Sequence, residues 1–233
     1  MSKMGVMPDQ IRRSAQPIKA MPALRARPGP PILTETDGAP PMRALLLALA
    51  LAAAPAAALA DTWRGYAEVP HSVEHRAGAV EIRSYPPRIV AEVTLRGERD
   101  TAARRGFVAL FDYITGRNAE KGKIAMTVPV DQSQTDRGWT LRFFMPEGAP
   151  LDSLPAPENT HVALRRLPAE RMLVGRFSGR PTPARLAEAE AALRAYAAAH
   201  DLPLAGAPRL MFYDGPFTLP GNRRNEIGFV LAR

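Results

Sequence analysis

Apolar residues recur along this chain at two periods, and the points where the period changes mark out the elements. Val80, Ile82 and Tyr85 lie in a strand-like run that meets Pro86-Pro87, and a second run continues to Gly97. From there the spacing turns helical: Ala103, Phe107, Leu110, Phe111 and Ile114 share one face, Thr101 is placed to cap the helix and Gly116 to stop it. Alternation returns over Lys123–Val130, where Ile124, Met126, Val128 and Val130 alternate with Lys123, Ala125, Thr127 and Pro129. It continues through Trp139, Leu141, Phe143 and Met145, with Asp136-Arg137-Gly138 closing a hairpin between the two runs.

The same order then recurs. Val162–Gly179 aligns with Val80–Gly97 without a gap at an offset of 82, with Val80/Val162, Arg83/Arg165, Pro86/Pro168 and Gly97/Gly179 identical. Thr182 is placed as a cap and Pro183 as the first helical residue, and Leu186, Ala189, Leu193, Tyr196 and Ala197 line one face. Phe111 and Leu193 are again 82 apart. Strands are expected at Pro208–Tyr213 and Glu226–Leu231, across the Gly/Pro-rich loop Asp214–Asn225. Each half thus reads β-β-α-β-β, over about 80–146 and 162–231, with a link at 147–160 that holds three prolines. The expected fold class is α+β: duplicated halves forming a curved or barrel-like antiparallel sheet of about eight strands. Two helices cover part of one face because each carries a single apolar stripe. A cleft between the halves is the natural place for a ligand.

The N-terminal part follows other rules. Residues 1–41 are rich in Pro and Met and show no periodicity. Met42-Arg43 then opens an apolar run from Ala44 that ends Ala58-Leu59-Ala60. This is the layout of a signal peptide over 42–60, cleaved after Ala60, and Met42 is a second candidate start. It predicts a periplasmic domain of residues 61–233. The alternative is a membrane anchor at residues 44–60, which is short against the about 20 residues a bilayer needs. Removing the leader also changes the charge. It carries seven of the 31 Lys and Arg and three of the 23 Asp and Glu, so the formal +8 of the whole chain falls to +4. That balance, with no dense basic stripe, excludes nucleic acid as the expected partner, and the membrane enters only through an uncleaved leader. The chain has no cysteine, which excludes disulfides, thiolate metal sites, a thiol nucleophile and a lipoprotein anchor.

Four stretches carry a family likeness. They are Val80-Glu81-Ile82-Arg83-Ser84-Tyr85, the helix from Gly106-Phe107 through Phe111 to Asn118, Lys123-Ile124-Ala125-Met126-Thr127-Val128-Pro129-Val130, and Arg223-Arg224-Asn225-Glu226-Ile227. Phe144-Met145-Pro146 adds a fifth, weaker one. In order and spacing they resemble the SOUL haem-binding family from about Tyr66 to Arg233. The resemblance implies a bound haem or other tetrapyrrole. A similar duplicated fold carries small-molecule effector sites in bacterial regulators.

Haem asks for a wide apolar slot, cations for two propionates and, in many proteins, an axial ligand. Met126, Phe144, Met145, Met211 and Tyr213 are the candidate slot, with methionine an adaptable liner. Arg83 and Arg224, with Arg165 and Arg223 beside them, are the candidate propionate partners. Some family members have His before the Tyr of the opening strand; here Ser84 stands there, so the axial ligand is open and His75 is the nearby candidate. The expected function is an exported, non-enzymatic tetrapyrrole binder that buffers, carries or sequesters its ligand. The alternative is a binding module for another amphipathic small molecule. A remote one is a zinc hydrolase, since His71-Ser72-Val73-Glu74-His75 matches H-x-x-E-H, a motif that needs both histidines on one helical face.

Overall fold

The computed structural model describes residues 61–232; the expected signal peptide and the segment before it lie outside the described residues. Twelve strands and two α-helices follow in order: β1 (Thr62–Trp63), β2 (Tyr66–Glu68), β3 (Ser72–Ala77), β4 (Val80–Tyr85), β5 (Arg88–Leu95), α1 (Arg99–Ile114), β6 (Thr127–Val128), β7 (Val130–Thr135), β8 (Gly138–Phe144), β9 (Ala163–Leu167), β10 (Glu170–Phe177), α2 (Pro183–Ala199), β11 (Leu204–Phe212) and β12 (Asn225–Leu231). Nine of the strands form one sheet in the order β3-β4-β10-β12-β11-β7-β8-β5-β9, and β1-β2-β6 form a small second sheet. Every pairing in the large sheet is antiparallel.

Chain connectivity forces this sheet to curl. Only Pro86 and Pro87 separate β4 from β5, yet the two strands lie six places apart in the sheet. A flat sheet would hold them about 29 Å apart, whereas the three peptide steps from Tyr85 to Arg88 reach at most about 11 Å. The same constraint recurs where Pro168-Ala169 joins β9 to β10. Of the expected curved or barrel-like forms, a closed barrel does not form: β3 and β9 remain as edges. The extra strand is β3, which a charged and polar run had not marked.

Both helices pack on one face of the sheet, and alternation sends the other set of side chains to the opposite face. Leu110, Tyr113 and Ile114 of α1 meet Val93, Leu141 and Phe143. Leu186, Leu193 and Tyr196 of α2 meet Leu173, Ile227 and Phe229. Val90, Phe144, Met172, Val174 and Met211 form a third cluster on the opposite face.

Three local expectations change. The run Lys123–Val130 is not one strand. Its Pro129 has no N–H for a ladder, so Thr127–Val128 pairs with β2, and the sheet strand begins at Val130. Thr101 does not cap α1: the helix begins at Arg99 behind Glu98, directly after the turn at Gly97. Thr182 and Pro183 do open α2 as expected, the threonine accepting from the Arg185 N–H. Finally, Phe111 is not the counterpart of Leu193. Leu193 is fully buried and Phe111 is 43% exposed. By burial, Leu110 would align with Leu193 and Tyr113 with Tyr196, an offset of 83 in place of 82.

Candidate functional site

A mid-helix glycine sets the site. An added Cβ at Gly106 would lie 3.1 Å from the Leu141 side chain and 3.2 Å from Val93. That small residue lets α1 settle closely on β5 and β8, and the buried face becomes Ala102, Gly106, Leu110, Tyr113 and Ile114. Phe107 and Phe111, expected inside, are therefore turned to the flank, 38% and 43% exposed. Their rings stack with centroids 5.8 Å apart, and Phe107 also meets Phe143 edge-on at 5.2 Å. Exposed aromatics of this kind are costly in water unless something covers them.

They form one wall of a cleft of about 410 Å³. The floor comes from the centre of the large sheet, where β7 meets β11, with Val130, Gln132 and Phe212, and from Met126 and Val128 at β6. The loop after β11 supplies the rim, with Tyr213, Pro216 and Arg223. Arg99 joins them from the start of α1 and pairs with Asp100 at 2.6 Å. Arg223 is held by carbonyls, its Nε donating to Thr218 O at 2.8 Å and an Nη to Pro216 O. No carboxylate among the described residues pairs with it. In the floor, Gln132 is buried and its Oε1 has no hydrogen-bond partner. The cleft thus offers an aromatic wall, a soft apolar floor, one unmatched polar atom and two guanidiniums at the rim.

Of the expected site residues, Met126, Tyr213 and Arg223 reach this cleft. The Tyr213 hydroxyl is committed, donating to Glu226 Oε2 at 2.8 Å. Burial, reinforced by the Glu226 charge, raises its pKa well above that of a free tyrosine, so it offers no phenolate. Phe144 and Met145 line a different groove, and Met211 is buried in the opposite-face cluster.

Arg83 and Arg224 are not available to a ligand. Arg83 is buried and donates to both oxygens of Glu226, at 2.7 and 3.0 Å, and to Glu81 at 2.6 Å. Arg224 donates to both oxygens of Glu68, at 2.7 and 2.6 Å, and to Glu226 at 2.9 Å, with its guanidinium 3.8 Å from the Tyr213 ring centre. Burial alone would raise Glu226, but the charge and hydrogen bonds of Arg83, together with Arg224, outweigh it and hold the carboxyl at about 2. Arg165 is largely exposed and lies near Glu92.

None of the four histidines lines the cleft. His75 sits on the edge strand β3 with its Nε2 buried and unpartnered. His71 Nδ1 lies 3.0 Å from Val69 O, and its ring rests 5.2 Å from Tyr85. Ser84 contacts Glu74, whose carboxylate takes three hydrogen bonds from Arg171. The H-x-x-E-H segment is therefore a strand, with its glutamate committed to Ser84 and Arg171 rather than free to act as a base. The described residues contain no group of three or more metal-ligating side chains.

Residues 66–230 match the model of the SOUL heme-binding protein family. No curated protein matches the sequence. Among solved structures, the C-terminal domain of EcmrR is similar, with a TM-score of 0.52 at 12% identity over 66% of this chain and 97% of that one. The cryo-EM structure of EcmrR with DNA gives 0.52 at 12%, over 66% of this chain and 57% of that one. A hydrolase from Listeria innocua gives 0.49 at 13%, over 66% and 91%. At these identities the likeness to EcmrR is one of fold.

Proposed function

The chain belongs to the SOUL heme-binding protein family, and from that premise we propose that it binds a tetrapyrrole in the cleft between α1 and the centre of the sheet. The observation that carries this reading is the Phe107–Phe111 stack, left half-exposed opposite Met126, Val130 and Phe212. A flat apolar ring would pack against these surfaces, with Arg99 and Arg223 at the rim to meet its propionates. Removing about 300 Å² of apolar surface from water contributes about 7.5 kcal/mol before ordering costs, close to the about 8 kcal/mol of micromolar affinity. With no histidine in the wall, enclosure rather than an axial nitrogen holds the ring. Met126 is the cleft residue whose thioether suits iron.

Titration of the purified protein with haemin, followed at the Soret band, tests the proposal. Phe107→Ala and Phe111→Ala should each weaken binding at least tenfold, and iron-free protoporphyrin should bind nearly as well as haemin. Single replacement of His71, His75, His161 or His200 by Ala should change affinity less than tenfold, about 1.4 kcal/mol. A histidine variant that abolishes the Soret shift would overturn the enclosure model. If neither porphyrin binds, the second reading takes its place, a module for another amphipathic molecule. The unpartnered Gln132 Oε1 favours that reading, since a porphyrin ring has no donor on its periphery to match it.

The protein acts on this reading as a carrier or buffer rather than a catalyst. Two of the cleft's titratable groups are engaged: Tyr213 with Glu226, and Asp214 with Arg64, Trp63 and the Arg224 N–H. Export and duplication belong to the same proposal. Export rests on the leader pattern, and intact-mass analysis of a periplasmic extract should find a chain beginning at Asp61; a full-length membrane-bound product would refute it. Duplication is supported by the strand order. With β3 set aside, exchanging β4, β5, β7 and β8 for β9, β10, β11 and β12 reverses the sheet onto itself.

A further inference from the structure

We propose that a groove at Arg88, separate from the cleft, is a second binding site, for an amphipathic monocarboxylate. The groove has a volume of about 470 Å³ and shares no lining residue with the cleft. Its walls are mostly apolar: Pro86, Pro87, Ile89, Phe144, Met145 and Pro146. Arg88 is set among them, 8% exposed, with its guanidinium 4.5 Å from the Tyr85 ring centre and 5.5 Å from that of Phe144.

Arg88 is incompletely satisfied. One Nη donates to Pro86 O at 3.3 Å and the other to Glu170, while the Nε–H has no acceptor. A buried N–H without a partner is a standing cost to the empty protein, and an oxygen brought by a ligand removes it. The surrounding charge selects the kind of oxygen. Glu170 is shared, because Arg209 donates to both of its oxygens, at 2.6 and 3.0 Å. Arg166 is exposed at the groove and has no carboxylate partner among the described residues. Glu68, also in the lining, is taken by Arg224, and Glu147 lies exposed at the rim. One buried donor, a nearby free cation and proline-rich walls describe a single carboxylate on an apolar body. A phosphate would need more donors than the one that Arg88 leaves open.

The test uses the full chain, decanoate and decan-1-ol, read by titration calorimetry. Decanoate should bind saturably at one site, with decan-1-ol at least tenfold weaker. Ala149→Trp, which fills the groove from its wall, should weaken decanoate at least tenfold and leave haemin affinity within twofold. Arg88→Gln should weaken decanoate as strongly; if circular dichroism shows that variant unfolded, the alcohol comparison and Ala149→Trp decide. Absent binding of decanoate, equal binding of the alcohol, or an unaffected Ala149→Trp would each overturn the proposal. So would competition between decanoate and haemin, which would place both in one site. Haemin binding reports on the cleft alone, so failure at either site is recognised separately.

Discussion

Glu226 has no exposed surface and faces two arginines, and this residue shows why Arg83 and Arg224 serve structure rather than ligand binding. Two guanidiniums and the Tyr213 hydroxyl occupy its oxygens. Removing one member of such a group leaves uncompensated buried charge. Glu226→Gln should therefore cost about 3–5 kcal/mol in urea unfolding at neutral pH. The pH dependence has a definite sign. The folded-state pKa is depressed, to about 2 from the ordinary 4.5, so its stabilisation is present above 4.5 and fades as pH falls toward 2. Wild type and Glu226→Gln should converge in stability over that window. Equal stability at pH 7 would show that the pairing contributes nothing. The sequence placed Arg83 and Arg224 on candidate loops and strands; each meets a carboxylate two residues off, Glu81 and Glu226, but each also pairs with one 143 or 156 residues away. Composition and local spacing do not reveal such distant pairs.

At the scale of elements, one hairpin turn and the cap of α2 were legible, while the cap of α1 and its orientation were not. Thr182-Pro183 opens α2 as its sequence indicates, because capping depends on neighbours within one turn. The Asp136-Arg137 turn also forms, with Gly138 at φ +125 beginning β8. A Cβ there would lie 2.3 Å from Leu95 O, a backbone atom that cannot yield. Gly138→Ala should thus lower stability by at least about 1–3 kcal/mol, measured by thermal unfolding; an unchanged midpoint would show that the hairpin relaxes freely. The α1 face went astray for the opposite reason. Spacing alone puts Phe107 and Phe111 with Leu110, and the close approach of Gly106 to Leu141 rotates the buried face away from them. A glycine inside a helical run was the signal available, since its cost there is usually offset by close packing. The two residues that were expected to be core became the wall of the site.

For the whole molecule, the alternating and helical runs made the α+β class and most elements along the chain legible, while the order of strands in the sheet and its open edges at β3 and β9 depend on long-range pairing and on how far the curled sheet closes. The candidate slot residues then divide by position on that curl. Met126 and Tyr213 reach the helix-side cleft, Phe144 and Met145 the groove, and Met211 the packed opposite face. Alternation told which residues would be buried but not which cavity each would join. Family membership suggests a tetrapyrrole, and the proposed site seats it against the stacked Phe107 and Phe111 of α1. The most direct measurement is a crystal structure of the protein with haemin bound. The account predicts the porphyrin between the Phe107–Phe111 stack and Phe212, propionates toward Arg99 and Arg223, and no histidine nitrogen on the iron. A porphyrin seated by Ser84 with His71 on the iron, or in the groove at Arg88, would contradict it.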